Sequence, residues 1–236
     1  MSGQTLTPRA ELRTLPCGCT VFTDPEWGVT RSYQKCAYHK SESGHSGLKH
    51  HEEMGAIKDG VVQHELYEKE LMECVDIPWG MGWNVLEIGC GVGAYIPMFT
   101  GRAYAYHGLE PDGEVADFVS RKFKVLVSEC RYEDLPLKSP YTKEVFYDLI
   151  FCAHAFEHME DSPGMMAKAF SQLKPGGRLV LIVPNDDDLC NPDHLWMWNE
   201  TTLRSALMRI GFHDIRMAVR QRVKHEKFIY TCASKP

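Results

Sequence analysis

The run Val85-Leu86-Glu87-Ile88-Gly89-Cys90-Gly91-Val92-Gly93 restricts the fold more than any other stretch of the chain. Its apolar first half reads as a buried strand, and its alternate glycines force a tight turn that opens into a helical pattern over 93–100. Such a turn aims backbone amides at a helix N-terminus toward whatever lies against them, at the carboxyl edge of an open α/β sheet. Twenty-one residues after Gly89, at the end of the next apolar run, Glu110 stands in Gly108-Leu109-Glu110-Pro111. A carboxylate there can accept both hydroxyls of a ribose. Turn and acid together predict an adenosine-containing ligand.

Around this run, short apolar segments alternate with helical patterns, which argues for a mostly parallel sheet covered on both faces. Strands are predicted at 84–88, 105–109, 124–127, 148–153 and 178–183, with a closing pair at 212–217 and 228–232. Helices are predicted at 93–100, 113–121, 163–173 and 201–210, and the segment after 127 carries no readable helix. In the last helix Leu203, Leu207 and Ile210 share a face, Asn199 or Thr201 caps the start, and Gly211 suits a left-handed stop. The expected architecture is α/β, a Rossmann-like seven-stranded sheet with helices on both faces, over residues 81–236. Residues 46–80 read as a helical lead-in, and residues 1–45 as a small Cys/His-containing extension ending in a Ser/Gly-rich loop from Ser41 to Gly47.

Composition narrows the partners. With 26 basic against 32 acidic residues the formal charge is −6, so no global positive field gathers phosphates, and nucleic acid is a disfavoured substrate. Nine cysteines, an odd number in a chain of 236 residues that can stabilise itself without cross-links, read as a reducing cytosol and no structural disulfides. No apolar signal core and no membrane-spanning run is present, so a cytoplasmic, unanchored protein is expected.

The glycine turn alone does not select the ligand, because Gly89-x-Gly91-x-x-Ala94 also fits the loose dinucleotide pattern of NAD(P)-dependent oxidoreductases. That alternative stays open, although the Tyr-x3-Lys pair of short-chain reductases is missing. Over roughly residues 84–215 the chain resembles class I S-adenosylmethionine-dependent methyltransferases, particularly the type 11 small-molecule group. The likeness rests on VLEIGCGVG, GLEPD, YDLIFCAHAFEHMED and LKPGGRLVLIVPN. It implies S-adenosylmethionine as cofactor, with Glu87 near its amino group, Gly89, Cys90, Gly91 and Gly93 along its methionine half, and Glu110 with Pro111 at its ribose. It also implies that the turn Cys130–Pro136 meets the adenine, here through Tyr132 and Glu133, although Arg131 and Tyr132 replace the small or acidic residue usual in the family.

The same resemblance turns the end of the fourth strand, Ala153-His154-Ala155-Phe156-Glu157-His158, toward the sulfonium and the acceptor. Methyl transfer is an in-line displacement, so the tasks are to hold the acceptor against the methyl and to exclude water. His154 is the candidate catalytic residue, as base or as orienter of the acceptor, since an imidazole titrates near neutrality. The plainer reading is that His154, Glu157 and His158 cap the next helix or contact the cofactor. A second acceptor wall is expected in Asp193–Trp198, where His194 and Trp198 join His158 of the preceding segment as substrate candidates, or else the tryptophans pack the loop down. After the fourth strand the chain presents FCAHAF in place of the Asp/Asn-Pro-Pro-Tyr of amino-methylating DNA enzymes, and no Pro-Cys nucleophile follows it. The expected acceptor is a small or medium organic molecule methylated on oxygen or nitrogen, the rival being an inactive cofactor-binding module.

At the front, Cys17-Gly18-Cys19 and Cys36-Ala37-Tyr38-His39 form a CxC…CxxH set whose four donors, Cys17, Cys19, Cys36 and His39, match the number a structural zinc needs. Ordinary buried thiols are the alternative. In the lead-in, His50, His51, His64 and Tyr67 lie on a charged helical stretch from which His64 or Tyr67 can reach an acceptor.

Overall fold

Where the apolar runs alternate between two faces, the chain builds one sheet with a core on each side. The structure, a computed structural model, describes residues 13–14, 20–32, 48–53, 56–58, 61–75, 77, 80–136, 146–185, 194–223 and 226–236. Ahead of the glycine turn run β1 (Arg13–Thr14), β2 (Thr20–Thr23), β3 (Thr30–Ser32), α1 (Leu48–Glu53), β4 (Ile57–Lys58), β5 (Val61–Val62) and α2 (His64–Cys74). Next come β6 (Trp83–Ile88), α3 (Ile96–Thr100), β7 (Ala103–Glu110), α4 (Gly113–Phe123), β8 (Leu126–Glu129) and β9 (Tyr147–Ala153). A short 3-10 turn, Phe156–His158, leads to α5 (Ser162–Gln172), β10 (Leu173–Pro184), β11 (Trp196–Met197), α6 (Glu200–Ile210), β12 (His213–Val223) and β13 (Glu226–Ser234).

Seven strands form the main sheet in the order β12-β13-β10-β9-β6-β7-β8. The five from β10 to β8 are parallel, and β13 runs antiparallel between β10 and β12. This is the Rossmann-like, mostly parallel sheet the alternation predicts. Strand period two divides the core: Leu86, Ile88, Ile150, Cys152, Leu179 and Leu181 face α5 and α6. Val85, Leu149, Phe151, Val180 and Ile182 face α2, α3 and α4.

The differences from the sequence reading have local causes. The helix expected over 93–100 starts only at Ile96, because Gly91 and Gly93 sit at φ of +49° and +80°, outside helical space. Strand β8 begins at Leu126 rather than at 124 because Lys124, at φ +55°, forms the left-handed stop of α4. Strand β12 runs to Val223 although its second half is polar, since main-chain pairing with β13 does not need apolar side chains at a sheet edge.

Strands β1, β2 and β3 form a second sheet with β11, in the order β1-β2-β3-β11. Arg31 and Thr30 of β3 pair with Trp196 and Met197, the Ser32 amide donates to the Leu195 carbonyl at 2.8 Å, and the Arg31 guanidinium lies 4.5 Å over the Trp196 ring. The described part of the front end is thus tied to the crossover after β10. The boundary near residue 45 lies outside the described residues, as do Cys17, Cys19, Cys36 and His39. Among the described residues no helix is long and apolar enough to cross a membrane.

Helix α6 shows a complete capping box: the Asn199 side chain accepts from the Thr202 amide at 2.9 Å, while the Asn199 amide donates to the Thr202 hydroxyl at 3.0 Å. Gly211, at φ +114°, closes the other end. Asn199→Ala therefore costs about 1 kcal/mol of folding stability, within the 0.5–2 kcal/mol usual for a lost cap. Urea unfolding monitored by tryptophan fluorescence checks this.

Candidate functional site

The chain winds outward from β6 through β7 to β8, then returns to start the opposite direction at β9, so β6 and β9 part company at their carboxyl ends. Ligands of open α/β sheets bind at such a switch point. The cavity found there has a volume of about 240 Å³, and the glycine turn forms its floor.

Gly89 begins the turn at φ +67°, and a Cβ on it would stand 3.1 Å from the Ala155 Cβ, so the turns after β6 and β9 touch across the cleft floor. Gly89, Cys90 and Gly91 line the cavity. Gly93 is not part of the wall: a Cβ there would meet the Phe123 ring at 2.6 Å, so this glycine lets α4 pack against the turn. The sequence shows that a glycine is needed at 93 but not which neighbour needs it.

Two carboxylates edge the cavity. Glu110, at the end of β7, accepts from the Gly91 amide at 2.9 Å through Oε2 and from the Asp112 amide at 3.0 Å through Oε1. Burial pushes its carboxyl up to about 7 against the lowering effect of those two amides. Glu87, only 1% exposed inside β6, accepts a 2.5 Å hydrogen bond from the Tyr106 hydroxyl. Burial pushes it up to about 8; the Tyr106 bond lowers it and the charge of Glu110 raises it further. Burial likewise holds the Cys90 thiol and Tyr106 hydroxyl well above their usual ranges, so both stay neutral.

At the far side, Cys130, Arg131, Tyr132 and Glu133 form a wall, with Pro111 beside them. Tyr132 borders the cleft, yet its side chain serves the core: it is 2% exposed and its hydroxyl donates to Gln172 Oε1 at 2.7 Å. The Lys168 ammonium from α5 fixes this turn by donating to the Tyr132 and Glu133 carbonyls at 2.6 and 3.1 Å. No sequence signal singles out Lys168, because its role arises only when α5 packs beside the turn.

On the other side stand Ala153, His154, Ala155, His158 and Met159. His154 has φ +57°, a conformation that costs a non-glycine residue on the order of 1 kcal/mol or more and that collects at functional sites. Its amide donates to the Ile182 carbonyl at 2.8 Å, its ring meets Phe228 edge-on at 4.8 Å, and Nδ1 lies 3.8 Å from Glu157 Oε1. The ring is therefore oriented by β10, β13 and the 3-10 turn together. His194 is outside the wall, with its ring 5.1 Å from that of His158. Trp198 is also outside it: fully buried, it stacks on Trp196 at 5.8 Å, so it packs the crossover instead of facing the cleft.

The lead-in covers the glycine turn. Ala56 reaches the cavity, a residue to which no motif points, and His64 holds its Nδ1 3.0 Å from the Ala94 carbonyl with its ring edge-on to Phe123. His64 thus anchors α2 on the turn rather than reaching into the cleft.

A family model described as a methyltransferase domain matches residues 62–217. A Mycolicibacterium smegmatis protein described as a probable S-adenosylmethionine-dependent methyltransferase is 28% identical over 139 residues, covering 56% of this chain and 52% of its own length. Phosphoethanolamine N-methyltransferase of Triticum aestivum is 24% identical over 170 residues, covering 62% of this chain and 31% of its own length. The chain thus spans about half or less of these curated relatives. The crystal structure of magnesium protoporphyrin IX methyltransferase from Synechocystis PCC 6803 with bound SAM superposes with a TM-score of 0.51 at 18% identity, over 72% of this chain and 74% of that one, a likeness of fold.

Glu87 and Glu110 both titrate above their ordinary value of 4.5 in the fold, so from there up to about 8 and about 7 respectively the folded chain holds more protons than the unfolded one. Stability of the ligand-free protein therefore rises as pH falls through that window. Melting temperatures of wild type and Glu87→Gln between pH 5.5 and 8.5 check the sign: the variant shows the smaller pH dependence.

Proposed function

The chain belongs to the family of S-adenosylmethionine-dependent methyltransferases, and on that premise we propose that it transfers a methyl group to an oxygen or nitrogen atom of a small or medium-sized organic acceptor. The observation that carries the reading is the carboxylate of Glu110, fastened by the Gly91 and Asp112 amides at the edge of a cavity floored by the glycine turn. A nucleoside ribose offers two hydroxyl donors to such an acceptor.

The bound cofactor supplies an electrophilic methyl on a sulfonium sulfur. Glu110 accepts from its ribose, Glu87 and the turn Gly89–Gly91 receive its amino-acid end, and the wall from Cys130 to Glu133 encloses its base. Ala153 and His154 border the reacting end, and His154 orients the acceptor. Its left-handed backbone gives the ring a fixed direction, the preorganisation that in-line displacement requires. A formal net charge of −6 favours an organic acceptor over nucleic acid.

Isothermal titration with S-adenosylhomocysteine and with NAD(P) tests the cofactor: association with the first and none with the second is expected, and the reverse overturns the reading. Labelled cofactor incubated with metabolite, protein and nucleic-acid pools then tests the acceptor class, label in the metabolite pool being the expected result. Glu110→Ala is expected to weaken S-adenosylhomocysteine by about 10- to 150-fold, the equivalent of about 1.5–3 kcal/mol for hydrogen bonds to a charged group. Unchanged affinity would put the cofactor elsewhere. His154→Ala is expected to lower turnover at least about 10-fold while that affinity moves less than about 3-fold, as loss of acceptor positioning demands.

A further inference from the structure

Behind the acceptor end of the cleft, three side chains converge from segments far apart in the sequence. Glu157 and His158 belong to the 3-10 turn after β9, and His194 to the crossover that enters β11. One donor atom from each lies within 4.8 Å of the other two. His158 Nε2 stands 3.9 Å from Glu157 Oε1, and the rings of His158 and His194 meet edge to face. Glu157 is 1% and His194 8% exposed, while His158 borders the cavity.

Two hydrogen bonds to backbone carbonyls hold the convergence. The Leu195 amide donates to the Glu157 carbonyl at 2.8 Å, and the Trp196 indole donates to the Met159 carbonyl at 2.9 Å. Two imidazoles and a carboxylate are the donors that borderline first-row cations prefer. Bonds of about 2.1 Å set ligand atoms about 3–3.5 Å apart, so shifts of about 1 Å from the observed separations would complete the set. A carboxylate so deeply buried beside two imidazoles is costly to desolvate, and a cation offsets that cost. Three protein ligands also leave coordination positions open, as catalytic metal sites do and structural ones do not.

We propose that Glu157, His158 and His194 bind one divalent first-row transition cation whose open positions face the cleft, and that the methyl acceptor is held there through a hydroxyl oxygen. This rests on the methyl-transfer reading above and narrows its acceptor to an alcohol or phenol. The cation stabilises the oxyanion formed when the hydroxyl releases its proton to solvent. The oxygen lone pair then forms the bond to the methyl carbon while the carbon–sulfur bond breaks. Its electron pair stays on sulfur, leaving a neutral thioether and a methyl ether. No oxidation state changes.

The test uses the full chain, stripped with a chelator and titrated with Co²⁺ under visible absorption and bound-metal analysis. One Co²⁺ per chain is expected, with ligand-field bands of nitrogen and oxygen coordination. Glu157→Gln and His194→Ala are expected to weaken it at least about 10-fold. A Cys17→Ser/Cys36→Ser double variant is expected to keep the same bands, which separates this site from any thiolate-bound metal. Acetohydroxamate, a small two-oxygen donor, is expected to shift the bands by entering the open positions. Bands that vanish in the cysteine variant, Co²⁺ binding indifferent to His194→Ala, or bands that ignore acetohydroxamate would each overturn the proposal. S-adenosylhomocysteine titrated in parallel distinguishes the failures. A chain that binds it but not Co²⁺ loses only the metal site, whereas one that does not bind it loses the cofactor reading as well.

Discussion

The parallel pairing of β6 with β9, from Val85 opposite Leu149 to Ile88 opposite Cys152, is the constraint on which the cleft depends. It brings two chain reversals side by side, the turn at Gly89 and the turn at His154, and leaves Gly89 against the Ala155 side chain at the floor. Each strand is buried on both faces, so neither can slide without moving apolar side chains across the sheet. The walls are then set by the segments at the strands' carboxyl ends: β7 delivers Glu110, and the 3-10 turn beyond β9 delivers His158.

Against that rigid frame, three locally unfavourable residues border the cavity. Glu87 and Glu110 are acids held in surroundings that favour their neutral forms, and His154 occupies a backbone region that histidine visits rarely. A fold selected for stability alone has no use for these residues. Their cost is offset by the double-sided core, and their concentration around one cavity is itself a sign of binding function.

The strands of the main sheet, the glycine turn and the acid at 110 were legible in the sequence because each is local: a period, a run of small residues, a fixed spacing. Side-chain direction was not. Tyr132 and Trp198 lie beside motif residues but turn into the core, toward Gln172 and Trp196, and Gly93 serves Phe123 rather than a ligand. Lys168, Ala56 and the meeting of His158 with His194 depend on which elements pack together, and no spacing along the chain encodes that. The small sheet that joins β3 to β11 was equally hidden, since two-residue strands leave no periodic trace.

The position of β13 has a consequence for what counts as a self-sufficient piece of this chain. It pairs on both edges, with β10 and with β12, so it is an interior strand although it is last in sequence. The span recognised as the family's shared region, residues 62–217, stops partway along β12, before β13, and begins after β3. Evolutionary kinship and physical autonomy thus have different borders here: a fragment cut to the former would lack the strand that joins the two halves of its own sheet edge, and would present β10 as a raw template for aggregation.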